Sequence, residues 1–448
     1  MDAIVYRIKA EKYPAYRDSG EEWLRDIPKH WEIKKLKFLG RIYPGLSGKK
    51  GTDFSKEYVE GMKSFIPFTN ICNNRVISEK QYQYVVVKEF EQQKTVQCND
   101  ILFLMSSETL EEIAKCSLYI GTDKELYLNS FCKGFRISNS ALNPSYVNYL
   151  FSSLSYRHYF SLVGRGFTRI NVKQEFINDA YILVPTIEEQ NALAEFLDLK
   201  MALIDQAIDI KEMQIKLLRE RRQILIHKAV TRGLNPDVKM KECGMEWIGE
   251  IPEHWIEIAN RGLFEERNEP GNDTLNILSV SIHTAVSSQE LSDDENLRGK
   301  IRIDDKRNYK LVKPNDIAFN MMRAWQGAIG AVRVDGMVSP AYIVAKPKRK
   351  VNADYLEYLF RTKDFIGQMD RHSKGITDFR KRLYWTEFKQ LKVFLPPMEE
   401  QNSIVEYISV FSNKIQEAVS FKEKEIEKLK EYKATLINSA VTGKIKVC

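Results

Sequence analysis

Cysteine is scarce in this sequence and nowhere clustered. Six cysteines in 448 residues (Cys72, Cys98, Cys116, Cys132, Cys243, Cys448) include no Cys-x-x-Cys pair. That excludes a zinc ribbon or disulfide framework and reads as reduced, mostly buried thiols of a cytoplasmic protein. No apolar run is long enough to cross a bilayer, and the opening MDAIVYRIKAEKY lacks the apolar core of a signal peptide. No membrane partner is expected. Nucleotide motifs are missing as well: Pro44–Thr52 (PGLSGKKGT) has the composition of a phosphate loop without its spacing, and Gly164-Arg165-Gly166 lacks the third glycine of a dinucleotide fingerprint. There is no Asn/Asp-Pro-Pro-aromatic cradle for a target adenine, no Gly-x-Ser-x-Gly elbow and no His-Glu-x-x-His. The nearest approach to a nuclease carboxylate pair is Asp304-Asp305-Lys306, a lone fragment in a charged stretch. A catalytic chain is disfavoured, and no metal or cofactor is expected on it.

Charge of one sign is also not in large excess. The net charge of +7 resides in residues 1–184 (+5) and 231–395 (+3), while 185–230 (−1) and 396–448 (0) are balanced. This permits nucleic-acid binding without establishing it. With 43% hydrophobic and 29% charged residues, the chain suits a protein of two or three domains.

What the sequence does contain is itself, twice. PTIEEQNALAEFLD, ending in LIHKAVTRG, reappears as PPMEEQNSIVEYIS, ending in LINSAVTG. The alignment is gapless from Glu188/Glu399 to Thr231/Thr442. A long-period repeat sets the architecture before any motif is read. Within each copy, residues recur alternately four and three apart: Leu197, Met201, Ile204, Ile208, Lys211, Ile215, Leu218, Arg222, Leu225 and Ala229, then Ile408, Ser412, Ile415, Val419, Lys422, Ile426, Leu429, Lys433, Leu436 and Ala440. That is a coiled-coil seam, and the matched basic positions would fix register. Because even these polar interruptions repeat, the two helices are expected to pair with each other, each a spacer of roughly 65 Å.

The blocks ahead of the helices also match at their starts. SGEEWLRDIPKHW (Ser19–Trp31) returns as CGMEWIGEIPEHW (Cys243–Trp255), so Trp23, Ile27, Pro28, His30 and Trp31 reappear as Trp247, Ile251, Pro252, His254 and Trp255. Tryptophans on either side of an Ile-Pro turn form a packing device, and the isolated histidines read as structural, not as ligands. Strands are expected at Tyr82–Val87, Ile101–Met105, Phe131–Ile137, Ile277–Val280, Ile317–Met321 and Ala341–Val344. Asn99-Asp100 and Asn315-Asp316 provide turns into them. Helices are expected to begin at Tyr149-Leu150-Phe151 and Tyr358-Leu359-Phe360. The blocks diverge in between, as at Gly48–Arg75 against Ser287–Lys310. The fold expected is α+β: residues 1–184 and 234–395 as globular domains, 185–233 and 396–448 as helical spacers.

A glycine-anchored basic segment precedes each spacer: GRGFTRINVKQEF (Gly164–Phe176) and KGITDFRKRLYWTEF (Lys374–Phe388). Arg165, Arg169, Asn171 and Lys173, and in the second copy Lys374, Thr377, Arg380, Lys381, Arg382 and Tyr384, suit contacts to phosphates and base edges. The competing reading is a solvated basic loop. Arg323 and Gln326, in NMMRAWQG, can read guanine and adenine edges. The corresponding place in the first block is LMSSET, with Ser106 and Ser107.

Two divergent blocks, each opening on Glu-Trp-(Leu/Ile)-x-x-Ile-Pro-x-His-Trp and each followed by Pro-x-x-Glu-Glu-Gln and a long helix, resemble the DNA-specificity subunits of type I restriction-modification systems. The resemblance covers essentially the whole chain, and NMMRAWQGAIG is typical of that family's target recognition domains. It implies one recognition domain for each half of a bipartite, asymmetric site in double-stranded DNA, held apart by an antiparallel coiled coil with an internal pseudo-twofold repeat. It also implies two methyltransferase subunits and two motor-nuclease restriction subunits as partners, with S-adenosylmethionine, ATP and Mg on those partners and none on this chain. The alternative from another class is a coiled-coil assembly scaffold whose globular blocks bind peptides or proteins.

Overall fold

The computed structural model describes residues 11–138, 141–244, 248–272, 274–287, 308–375 and 381–447. It divides into two units, one comprising residues 1–211 with 424–448 and the other residues 212–423.

In the first unit, strand Ile101–Leu104 is apolar throughout and buried on both faces. It sits inside an antiparallel sheet ordered Cys116–Leu118, Ile101–Leu104, Cys132–Ile137, Gly40–Pro44. Helices Pro144–Ser152 and Leu154–Val163 bring Tyr146, Phe151, Tyr156 and Phe160 into the core. In the second unit the same order recurs as Ile329–Ala331, Ile317–Asn320, Tyr342–Pro347, Phe264–Glu266. Helices Ala353–Phe360 and Lys363–His372 follow it. This is the expected α+β pattern, built twice. The strand expected at Tyr82–Val87 is trimmed to Gln83–Val85, and the one at Ile277–Val280 reduces to Val280–Ser281 plus a single bridge from Ile277 to Met337.

One expectation is corrected. Tyr149–Phe151 and Tyr358–Phe360 close their helices; they do not begin them. The starts lie earlier because Asn143 and Asn352 are N-caps, their side chains accepting from the Tyr146 and Tyr355 amides at 3.0 and 3.1 Å.

The long helices run over Ile187–Arg232 and Met398–Val441. Every residue of the repeating stripe is buried or half-buried. In the first unit, Leu197, Met201, Ile204 and Ile208 are buried, as are Ile426, Leu436 and Ala440. Lys433 meets Asp205 at 2.7 Å, and Lys211 meets Glu425 at 2.8 Å. In the second unit, Ile215, Ala229, Ile408, Ser412 and Val419 are buried. The Arg222 Nε donates to Ser412 at 3.2 Å, and Arg219 pairs with Glu423 at 3.2 Å. The basic stripe positions Lys211, Arg222 and Lys433 are thus each answered by a polar group on the other helix.

The repeated glycine ending each helix has a direct cause. Gly233 and Gly443 adopt φ of 73° and 72°, a left-handed conformation that ends helices. A Cβ on Gly443 would also lie 2.4 Å from the Pro28 ring and 3.2 Å from Trp31, and one on Gly233 would lie 2.7 Å from a Glu400 oxygen. Trp31 and Trp255 are both buried beside these helix ends, as expected of the packing device. Trp23 packs against Tyr156 and Tyr159 with ring centroids at 4.8 Å, while Trp247 lies outside the described residues.

No helix among the described residues is long and apolar enough to cross a membrane. Cys116 and Cys132 are buried, Cys72 and Cys243 are half-buried, and Cys98 is exposed. Cys448 lies outside the described residues.

Candidate nucleic-acid interface

Each central strand is pinned at its start by a turn and a buried charge. Asn99 and Asn315 take φ of 71° and 72°. The aspartates after them are 1% exposed. Asp100 accepts Arg136 Nε at 3.0 Å and Nη2 at 2.7 Å, with the Tyr43 hydroxyl at 2.6 Å. Asp316 accepts Arg267 Nε at 2.8 Å and Nη2 at 3.1 Å. Burial pushes the Asp316 carboxyl up, against the pull of Arg267. Removing either arginine would leave a buried carboxylate without its partner, so each pair holds the start of its strand in place. The far end of each strand therefore delivers its loop to a defined place.

In the first unit that loop is Met105–Thr109. The Val172 amide donates to the Met105 carbonyl at 3.1 Å, and Ser106–Ser107 pairs antiparallel with Ile170–Asn171. In the second unit the Leu383 amide donates to Met321 at 2.8 Å. In both units, then, the strand-end segment and the basic segment lie side by side, which their separation in sequence does not announce.

Arg169 is exposed, 5.1 Å from the Phe131 ring centre, and lines a cleft of about 230 Å³ with Phe68, Ser106, Ser107, Glu108 and Phe131. Asn171 and Lys173 are exposed. Two candidates are committed to the protein itself. The Arg165 guanidinium donates to the Leu162 and Gly164 carbonyls at 2.6 and 2.8 Å, and the largely buried Ser107 accepts the Thr109 amide at 3.2 Å. The loop turns at Gly166, which adopts φ of 146° and where a Cβ would lie 1.9 Å from the Arg169 carbonyl oxygen, leaving no room for a side chain.

In the second unit, Arg323 and the exposed Gln326 flank a short turn that Gly327 closes at φ 95°. Tyr384 is exposed. Lys374 pairs with Glu387 at 2.6 Å, and Lys381 pairs with Asp370 at 2.7 Å while sitting 5.1 Å over Trp325. Arg382 donates to the Lys381 carbonyl at 2.9 Å. Thr377 and Arg380 lie outside the described residues. Arg361, which no sequence pattern singles out, supports the turn from below. Its Nη1 donates to the Gly327 and Ile329 carbonyls at 3.1 and 3.3 Å, and burial draws its pKa down. No cluster of metal-ligating side chains occurs among the described residues.

The profile of the Type I restriction modification DNA specificity domain matches residues 28–218 and 261–430, most of both halves. The chain belongs to this family. It is similar to the type I restriction enzyme MjaVIII specificity subunit of Methanocaldococcus jannaschii, 24% identical over 94% of each chain. It is similar also to the EcoKI specificity subunit of Escherichia coli K12, 22% identical over 88% of this chain and 85% of the other. Among solved structures, the fold is similar to a chain from work on complex assembly and conformational transition of the type I R-M system. That match has a TM-score of 0.65 at 12% identity, covering 93% and 98% of the two chains. The HsdS subunit from Thermoanaerobacter tengcongensis matches with a TM-score of 0.51 at 13% identity, covering 96% and 100%. The chain is a specificity subunit, with recognition and not catalysis as its task.

Proposed function

We propose that the two globular domains, residues 1–184 and 234–395, each read one half of a bipartite, asymmetric DNA site. The long helices, residues 185–233 and 396–448, pair as an antiparallel coiled coil related by a pseudo-twofold repeat and set the distance between the halves. The observation that carries this reading is the duplicated juxtaposition of strand-end loop and basic segment, filled with different residues in each copy. One scaffold with two fillings is what an asymmetric site requires, just as half-site spacing follows dimer geometry in symmetric DNA readers. Arg169 with Ser106, and Arg323 with Gln326, are the base-reading groups; Asn171, Lys173, Lys374, Lys381, Arg382 and Tyr384 position the backbone, with Arg165 and Ser107 shaping the loop.

The helices carry a second apolar set facing away from the paired stripe. Leu199, Leu203 and Ile210 are exposed in the first unit, and Met213, Leu217, Ile224, Val410 and Phe421 in the second. These are the docking positions for two methyltransferase subunits, which with two restriction subunits complete the assembly. S-adenosylmethionine, ATP and Mg belong to those partners.

Modified-base sequencing of host DNA tests the reading. A bipartite motif with one methylated adenine in each half, lost on deletion of this chain, is the expected result. A salt-insensitive interaction with DNA would favour the protein scaffold instead, because phosphate contacts release counterions and give a steep salt slope.

A further inference from the structure

Arg75, Lys115 and Arg157 converge on a cleft of about 350 Å³ in the first unit. It lies between the end of helix Phe68–Asn73, strand Cys116–Leu118 and the start of helix Leu154–Val163. None of the segments assigned to DNA reading contributes to it. The Arg157 Nη2 donates to the Glu111 carbonyl at 3.0 Å and to the Ile113 carbonyl, while Nη1 is buried without a hydrogen-bond partner. Arg75 is held by Asp198 at 2.8 Å and lies 4.2 Å over the Tyr149 ring, yet its Nη1 is likewise buried and unpartnered. Its backbone is fixed too: the Arg75 carbonyl accepts from Asn148 Nδ2 and from the Leu118 amide, both at 2.9 Å. The Lys115 Nζ sits 3.4 Å from the Cys72 carbonyl, and its carboxylate partner Glu112 is 3.9 Å away.

Burying a guanidinium that meets only carbonyls leaves its charge unneutralised, and an unmade hydrogen bond adds the desolvation cost of the donor. The neighbouring thiols do not supply the missing negative charge. Burial pushes the Cys116 thiol up to about 12 and raises that of Cys72, so both stay protonated. Glu111 lines the cleft and forms no ion pair with the three cations among the described residues. The second unit shows that a buried arginine need not be left this way: Arg361 spends both terminal nitrogens on the carbonyls of Ile282, His283, Gly327 and Ile329. Two donors without acceptors belong to residues lining a cleft that a third cation also lines, an arrangement suited to an anion.

We propose that this cleft binds an oxyanion of the phosphate class, held by Arg75, Arg157 and Lys115. The phosphoryl group comes either from a DNA backbone or from a small phosphorylated molecule; the same donors serve both.

The test titrates the full chain with inorganic phosphate, followed by calorimetry and by the melting temperature. Saturable binding that stabilises the chain is expected, about tenfold or more weaker in Arg157→Gln and Lys115→Met, since each removes a charge-assisted contact. The exposed Lys124→Met is expected to match the parent. Lys115 is partly exposed, so its variant keeps the test decisive if Arg157→Gln does not fold. Duplex DNA is then added as competitor. Displacement of phosphate, with the salt slope of DNA binding reduced by about one in Lys115→Met, assigns the site to a backbone phosphate. Undisturbed phosphate binding assigns it to a small molecule. Absence of saturable binding, or binding equally strong in both variants, overturns the proposal and leaves the two nitrogens to ordered water. None of these outcomes depends on which bases the recognition loops read.

Discussion

The Trp255 indole N–H donates to Glu400 Oε1 at 3.2 Å, and His254 Nε2 lies 2.7 Å from Oε2 of the same carboxylate. In the other unit, Glu189 takes up Trp31 at 3.5 Å and His30 at 2.9 Å in the same way. The His-Trp that opens each block and the Glu-Glu-Gln that opens each helix are therefore two halves of one clasp. The adjacent glutamines complete it. Buried Gln190 and Gln401 accept the Asn143 and Asn352 amides at 2.9 Å and donate to the Pro185 and Pro396 carbonyls at 2.9 and 2.8 Å.

The clasp predicts an inequality. Glu400→Ala leaves a buried indole N–H without an acceptor and is expected to cost about 1–3 kcal/mol. His254→Ala removes a pair whose imidazole is 44% exposed and is expected to cost less than about 1 kcal/mol. Urea unfolding of the two variants compares them directly, and equal losses would show that the indole contact contributes nothing of its own.

The helical stripe was legible in the sequence because its contacts repeat every three or four residues, and each such position is indeed buried or half-buried. The clasp was legible only as repeated letters. Its partners lie 145 and 158 residues apart, and nothing local joins them. The same holds for the interface: the Val172–Met105 and Leu383–Met321 bonds place segments together that the sequence shows only as two separate basic or polar runs. Arg157 and Arg361 carry no mark in the sequence, because an arginine bonded to carbonyls creates no charge pattern. The aromatic runs do not mark the helix starts, because Asn143 and Asn352 cap ahead of them.

Arg323→Ala is expected to weaken recognition of the second half-site alone, by about 1–3 kcal/mol. Arg169→Ala is expected to do the same for the first. Lys381→Ala should matter less, because that ammonium already pairs with Asp370 and Trp325. Binding measured on duplexes randomised in one half at a time separates the three effects. Loss spread evenly over both halves in Arg323→Ala would assign that arginine to phosphate contact.

Alkylation of the native chain provides a check on the thiols. Cys98 is exposed and is expected to react first, while Cys116 and Cys132 are buried with their pKa values raised by that burial, so little reactive thiolate forms at neutral pH. Mass-mapped labelling, native against urea-unfolded, reads the difference. Native labelling of Cys132 at the rate of Cys98 would contradict the packing of strand Cys132–Ile137.

The spacer itself can be lengthened. Four residues added after Lys211 and four at the facing position after Lys424 extend each helix by about 6 Å, close to two base-pair steps of about 3.4 Å. If the helices act as a ruler, the recognised site gains one or two base pairs in its non-specific middle while both half-sites keep their sequences. Insertion in one helix only shifts the stripe beyond Lys211 against its partner, breaking Arg219–Glu423 and Arg222–Ser412, and is expected to abolish binding or change the spacer irregularly. Selection of bound sites from a random duplex pool reads both outcomes. An unchanged spacer at full affinity in the doubly extended chain would mean that the distance between half-sites is set elsewhere.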